Sequence, residues 1–145
     1  MSLDEIHPLI IHFPIALLSV GFLCDLLSYV LQNKSLAHAG WWNFVFGVVS
    51  SVCALITGLI TDLSSIPTEY NPRLVDEPFP VHENHASLQI FVVCIFLALM
   101  IWRINLRGSL PTNSRSTVIY LGVLGVAVAI LFYGSHLGAM FAGRF

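Results

Sequence analysis

Charge is what this sequence has least of. Of its 145 residues 10% are charged and 57% are hydrophobic, with a mean hydropathy of +0.84. A soluble domain carries about 25% charged residues, so an ordinary soluble fold is excluded. This is the composition of a membrane protein made of little besides its spans. At ~20 apolar residues per helical span, the chain has room for four spans and short loops, and none for a second domain. With a net charge of −2, no basic patch and no RNA-type aromatic motif, nothing points to nucleic acid.

Cysteine is scarce too. Cys24, Cys53 and Cys94 stand singly inside apolar runs. They form no CxxC pair, and no CxxCH sequence exists to attach a c-type haem, so they read as small core residues. A serine nucleophile elbow, a phosphate loop and an HExxH zinc motif are also missing, which leaves no hydrolase or ATPase reading. An electron-transfer or complex subunit is favoured over a stand-alone enzyme. The N-terminus lacks the positive region and the Ala-x-Ala site of a signal peptide. It has Asp4 and Glu5 instead, and it reads as a retained first span.

The apolar runs predict an all-α, integral membrane four-helix bundle, a single domain over residues 1–145. The expected spans are about 9–31, 41–61, 85–106 and 117–141, with a long loop at about 62–81 whose prolines (Pro67, Pro72, Pro78, Pro80) exclude a helix. Pro8 suits a first helical turn, and Pro14 is expected to bend or loosen the next one. Trp41 and Trp42 are expected as interfacial anchors.

Four spans put both termini and the long loop on one side. The two short loops, on the other side, hold or border Lys34, Arg103, Arg107 and Arg115, against Arg73 and Arg144 with the termini. By the positive-inside rule both termini lie on the non-cytoplasmic side. The expected location is the bacterial inner membrane, multi-pass, N-out and C-out.

That orientation gathers polar groups at one face. His7 and His12 open span one, Asp62 closes span two, His82 and His85 open span three, and His136 lies near the end of span four. Only His38 lies at the other face. Ionisable groups in or near hydrocarbon are costly and mark a site by default, and an unpaired imidazole there is expensive. Gln89 shares a face with His82 and His85 and suits a partner that orients an imidazole. Small-residue stripes run toward this layer: Gly47, Ser51, Ala54 and Gly58 lead to Asp62, and Gly122, Gly125 and Ala129 lead to His136. Such stripes serve either close helix packing or room for a flat ligand. At the opposite face, Asp25 and Arg103 lie at similar depth and are expected to form a structural ion pair. The central levels offer only serine, threonine and cysteine, which argues against a proton pump.

The opening His7-Pro8-Leu9-Ile10-Ile11-His12-Phe13-Pro14-Ile15, then Asp25, Gly58 with Asp62, His85 and Gly134-x-His136-Leu137-Gly138, resemble a widespread family of small bacterial four-helix membrane proteins of unassigned function. The resemblance covers nearly the whole chain. Relatives of that kind often stand beside, or are fused to, c-type cytochrome modules, which implies haem or periplasmic redox chemistry. Here the sequence stops at Arg144-Phe145, so such a module is expected on a separate protein.

Three readings follow. The first is a b-type cytochrome-like electron-transfer protein or complex subunit. It holds haem b between histidines, the iron ligated by His12, His85 or His136, with His85–His136 and His12–His85 the favoured pairs. His7 and His82 are nearby ligands or haem neighbours, and Asp62 and Gln89 are supporting groups. Its partners would be a periplasmic c-type cytochrome or other redox membrane subunits. The second is a non-haem centre for zinc, copper, iron or nickel built on His82-x-x-His85 with His12, His136 and Asp62. The third is a structural subunit of a respiratory or photosynthetic complex, including ligation of a chlorophyll-type pigment. Homo-oligomerisation is left open by the sequence.

Overall fold

The computed structural model describes the backbone of residues 3–64 and 81–141 and the side chains of residues 10–60 and 86–137. It contains four helices: α1 (Leu3–Leu31), α2 (Lys34–Ser64), α3 (Val81–Asn105) and α4 (Ser114–Phe141). At 25 to 31 residues each, they are about 38–46 Å long. That is enough to cross a ~30 Å hydrocarbon core. All four contain a stretch apolar enough to do so: Ile10–Leu31, Lys34–Ile60, Ala86–Asn105 and Ser114–Leu137.

The helices overrun the apolar spans. α1 begins at Leu3 and is unbroken through Pro8 and Pro14. α2 begins at Lys34, well before Trp41, because Asn33 caps it and the connection from α1 is very short. The two described connections use the same chemistry. Gln32 and Arg107 each adopt a left-handed φ (52° and 55°) just past a helix end. The next residue then donates its N–H back to a carbonyl five positions earlier: Asn33 to Ser28 at 3.2 Å, and Gly108 to Arg103 at 2.9 Å. This is the Schellman termination. Asparagines then start the following helices, Asn33 Oδ1 accepting from Ser35 N (2.9 Å) and Asn113 Oδ1 from Arg115 N (3.0 Å).

The helices form a ring in chain order. Each packs on its two neighbours, α1 on α2 most intimately, while among the described residues the diagonal pairs α1–α3 and α2–α4 make no close backbone approach. Tyr29 near the end of α1 meets Ser114 at the start of α4 (2.7 Å), so the two short connections share one end of the bundle, here the connection end. The other is the terminal end. The core is a column of Leu18, Phe44, Val48, Val92, Phe96, Leu124, Ala127 and Leu131. Outward positions are apolar as well, among them Phe13, Phe46, Phe91, Ile101 and Val126. Apolar residues on both the inner and outer faces suit surroundings of lipid.

Small residues set the α1–α2 distance. A Cβ on Gly47 would meet Leu18 Cγ at 2.7 Å, and one on Gly21 would meet Phe44 N at 3.2 Å. Lipid supplies no hydrophobic drive between helices, so such close approach is what packs them.

Candidate functional site

Two polar regions bear on function, one at each end. The connection end is built around Arg103, 1% exposed on α3. Its side chain crosses the bundle centre to the diagonal helix, where Nη1 donates to Oδ2 of Asp25 in a fully buried ion pair. Nη1 also donates to Tyr120 Oη (3.1 Å), Nη2 to the Ala37 carbonyl (3.0 Å) and Nε to the Gly108 carbonyl (3.1 Å). Tyr120 in turn donates to Asp25 Oδ2 at 3.3 Å. The rings of Trp41 and Tyr120 face the guanidinium at 5.4 and 5.6 Å. One side chain thus touches α1, α2, α4 and the turn after α3. Arginine suits this because its planar fork offers five donors at once.

The expected Asp25–Arg103 pair is therefore present. Tyr120, Trp41 and Gly40 were not legible as parts of it. Trp41, expected at the interface, is half-buried against Arg103, while Trp42 lies outside and stacks on Phe46 at 5.9 Å. Gly40 leaves the space that the Asp25 carboxyl fills, since a Cβ there would lie 2.8 Å from Asp25 Cγ. Asp25 Oδ1 has no hydrogen-bond partner. The available signal was a tyrosine within an apolar run, whose hydroxyl needs a partner when buried.

At the terminal end, the side chains of His7, Asp62, His82 and His85 lie outside the described residues. His12 on α1 and His136 on α4 are described, and both are exposed. Gln89 is half-buried and lies against α4, where a Cβ on Gly134 would meet its Nε2 at 2.7 Å. Among the described residues no group of three or more His, Cys, Asp or Glu side chains converges as a metal-binding cluster.

The two small-residue stripes behave differently. On α2, Gly47, Ser51 and Ala54 are buried, and Ser51 Oγ donates back to the Gly47 carbonyl at 2.9 Å. This stripe packs helices. On α4, Gly122 and Ala129 are exposed together with His136, and a Cβ on Gly122 would meet nothing within 4 Å. Gly125, between them, packs on Phe22. Cys53 and Cys94, expected in the core, lie on exposed faces, because each falls outside the buried register of its helix.

The chain belongs to the family described as Predicted membrane protein (DUF2231), whose model matches residues 3–145. No curated protein and no solved structure matches it.

Proposed function

We propose that this DUF2231 protein is a membrane electron-transfer protein, or the electron-transfer subunit of a larger complex, that holds haem b between histidines at the terminal end. The observation that carries the reading is the register set by the buried ion pair. α1 and α3 run in the same direction on opposite corners of the ring, and Asp25 and Arg103 meet across its centre. Eighteen residues separate His7 from Asp25, and eighteen separate His85 from Arg103. That is five helical turns, about 27 Å of rise. Both positions lie on continuous helix, so each repeats, at one common level, the helical face that carries the ion pair. The half-buried Gln89 continues the buried register of Val92, Phe96, Leu99 and Arg103 on α3.

Two histidines from opposed helices are a donor set that haem iron takes, and their identity and burial tune its potential. Bound there, the haem supplies one-electron exchange between ferric and ferrous iron. The chain's part is to ligate, orient and shield it. His85 is the central ligand and His7 the favoured partner. The exposure of His12 and His136 suits them to haem propionates or a second haem rather than to the core pair. Gln89, one turn inward from His85, is placed to bridge α3 and α4.

The orientation we favour is N-out and C-out in the bacterial inner membrane. Burial removes Arg103 from the charges available at the connection end, yet Lys34, Arg107 and Arg115 remain exposed there, consistent with a cytoplasmic face. The haem then lies near the periplasm, within reach of a c-type cytochrome or a redox membrane subunit. One haem layer does not carry electrons across the bilayer.

The test is a dithionite-reduced minus oxidised spectrum of the detergent-purified protein, with metal analysis of the same sample. A sharp b-type α-band with stoichiometric iron is expected. It should vanish in His85→Ala and in His7→Ala, with membrane insertion retained, and should persist in His12→Ala. Loss in His12→Ala with retention in His7→Ala would reverse the pairing. A flat spectrum with bound zinc or copper would replace haem by a metal centre at His82-x-x-His85. Neither chromophore nor metal would leave a subunit that serves a partner's cofactor.

A further inference from the structure

The connection end carries a second feature, independent of the histidines. The end of α1, the start of α2, the turn after α3 and the start of α4 surround an open cavity of about 800 Å³ with a mixed polar and apolar lining. Its lining contains Lys34 and His38 but no aspartate or glutamate. These two residues are one turn apart on α2 and both are exposed. The lining also contains Ser109, Thr112 and Ser114, the last bonded to Tyr29 (2.7 Å). Several other lining groups are already engaged: Ser28 Oγ donates to the Asn33 carbonyl (2.9 Å), Gln32 Nε2 to the Tyr29 carbonyl (2.5 Å) and Thr117 Oγ1 to the Pro111 carbonyl (2.7 Å). These bonds leave the Lys34 ammonium and His38 imidazole of α2, and the Ser109 and Thr112 hydroxyls of the turn after α3, around the space. Behind one wall, the guanidinium of Arg103 holds the carbonyls of Ala37 and Gly108, both of which line the cavity. The rear of the cavity is thereby tied to the buried ion pair.

A lining with donors from two segments, a cation and no carboxylate favours an anion with several oxygens. Helices α2 and α4 both begin at this rim, and their positive ends add to the same preference. The apolar Val30, Leu110 and Pro111 also line the cavity, as suits a ligand that is polar at one end and greasy at the other. We infer that this cavity binds a phosphate ester. The phosphate comes either from the headgroup of an anionic phospholipid or from a small soluble phosphate compound entering from the aqueous side.

The experiment uses the full chain in detergent, stripped of lipid. Native mass spectrometry counts retained phosphatidylglycerol, and thermal unfolding is followed on adding phosphatidylglycerol, glycerol phosphate or phosphatidylcholine. One tightly held phosphatidylglycerol per chain, with a raised unfolding temperature, assigns the lipid headgroup. Equal stabilisation by glycerol phosphate assigns the soluble source. In either case Lys34→Ala/His38→Ala should weaken binding at least tenfold, while Arg115→Ala, exposed at the same end but outside the lining, should change it less than twofold. Equal losses in the two variants would overturn the site in favour of general surface attraction. So would indifference to all phosphate compounds, or equal binding of zwitterionic phosphatidylcholine.

Discussion

Arg103 and Asp25 have no exposed alternative to each other. Both side chains are fully buried, so removing one strands the other as a lone charge in a medium that solvates it poorly. Breaking such a pair from one side costs about 3–5 kcal/mol, whereas replacing both members by apolar residues of similar volume is often neutral or stabilising. Arg103→Ala and Asp25→Ala should therefore lower stability by ~3–5 kcal/mol in SDS titrations of the micelle-solubilised protein. Asp25→Leu/Arg103→Met should recover most of that loss. Arg103→Lys should fall between, because an ammonium group does not reproduce the fork that reaches both the Ala37 and Gly108 carbonyls. If the double substitution were as damaging as either single one, hydrogen bonding to the four elements, rather than charge neutralisation, would dominate. For the haem reading, the same double variant has a second value. It removes the tie that sets α1 against α3, so it should broaden or shift the α-band even where the fold survives.

Between helices, glycine decides how closely the backbones approach. Gly40 and Gly47 face occupied space, while Gly122 faces none. Gly40→Ala drives a methyl into the Asp25 carboxyl, and Gly47→Ala drives one into Leu18. Overpacking of this kind typically costs about 1–3 kcal/mol. Gly122→Ala meets no such obstacle and should be neutral or gain roughly 0.5–1 kcal/mol from helix propensity. Thermal unfolding of the three variants in one detergent checks this order; a destabilised Gly122→Ala would mean that this outward face of α4 packs on something in the assembled protein. The caps belong to this scale as well. Asn33→Ala and Asn113→Ala each remove a side-chain acceptor at a helix start, at a cost of about 1 kcal/mol.

At the scale of the whole molecule, the ring of four helices places the two connections at one end, the end that the proposed orientation puts in the cytoplasm. Introduced cysteines report this directly, after Cys24, Cys53 and Cys94 are replaced. A cysteine at Thr68, within the long loop of the sequence, should react with an impermeant maleimide in intact cells. One at Ser114 should react only after permeabilisation. The reverse pattern would invert the molecule, move the histidine end to the cytoplasm and exclude a periplasmic electron partner.

Four apolar runs and the pairing of Asp25 with Arg103 were legible in the sequence, because each depends on solvation alone. Hydrocarbon demands long apolar helices, and it demands that two opposite charges at one depth find each other. The alternation of helix direction, which carries His12 and His136 toward the terminal end, was legible too, since it holds whatever the packing. Which face each residue occupies was not. Helix hydrophobicity here is nearly uniform around the axis, so no amphipathic pattern separates core from lipid, and Cys53, Cys94, Gly122 and His136 fall outside for reasons that only the neighbouring helices supply. Trp41 went to Arg103 rather than to the interface because the short α1–α2 connection starts the second helix at Lys34 and brings that ring beside the guanidinium. Composition determined four helices long and apolar enough to cross a membrane; the close α1–α2 contact through glycine and the reach of Arg103 across the bundle decided how they are held.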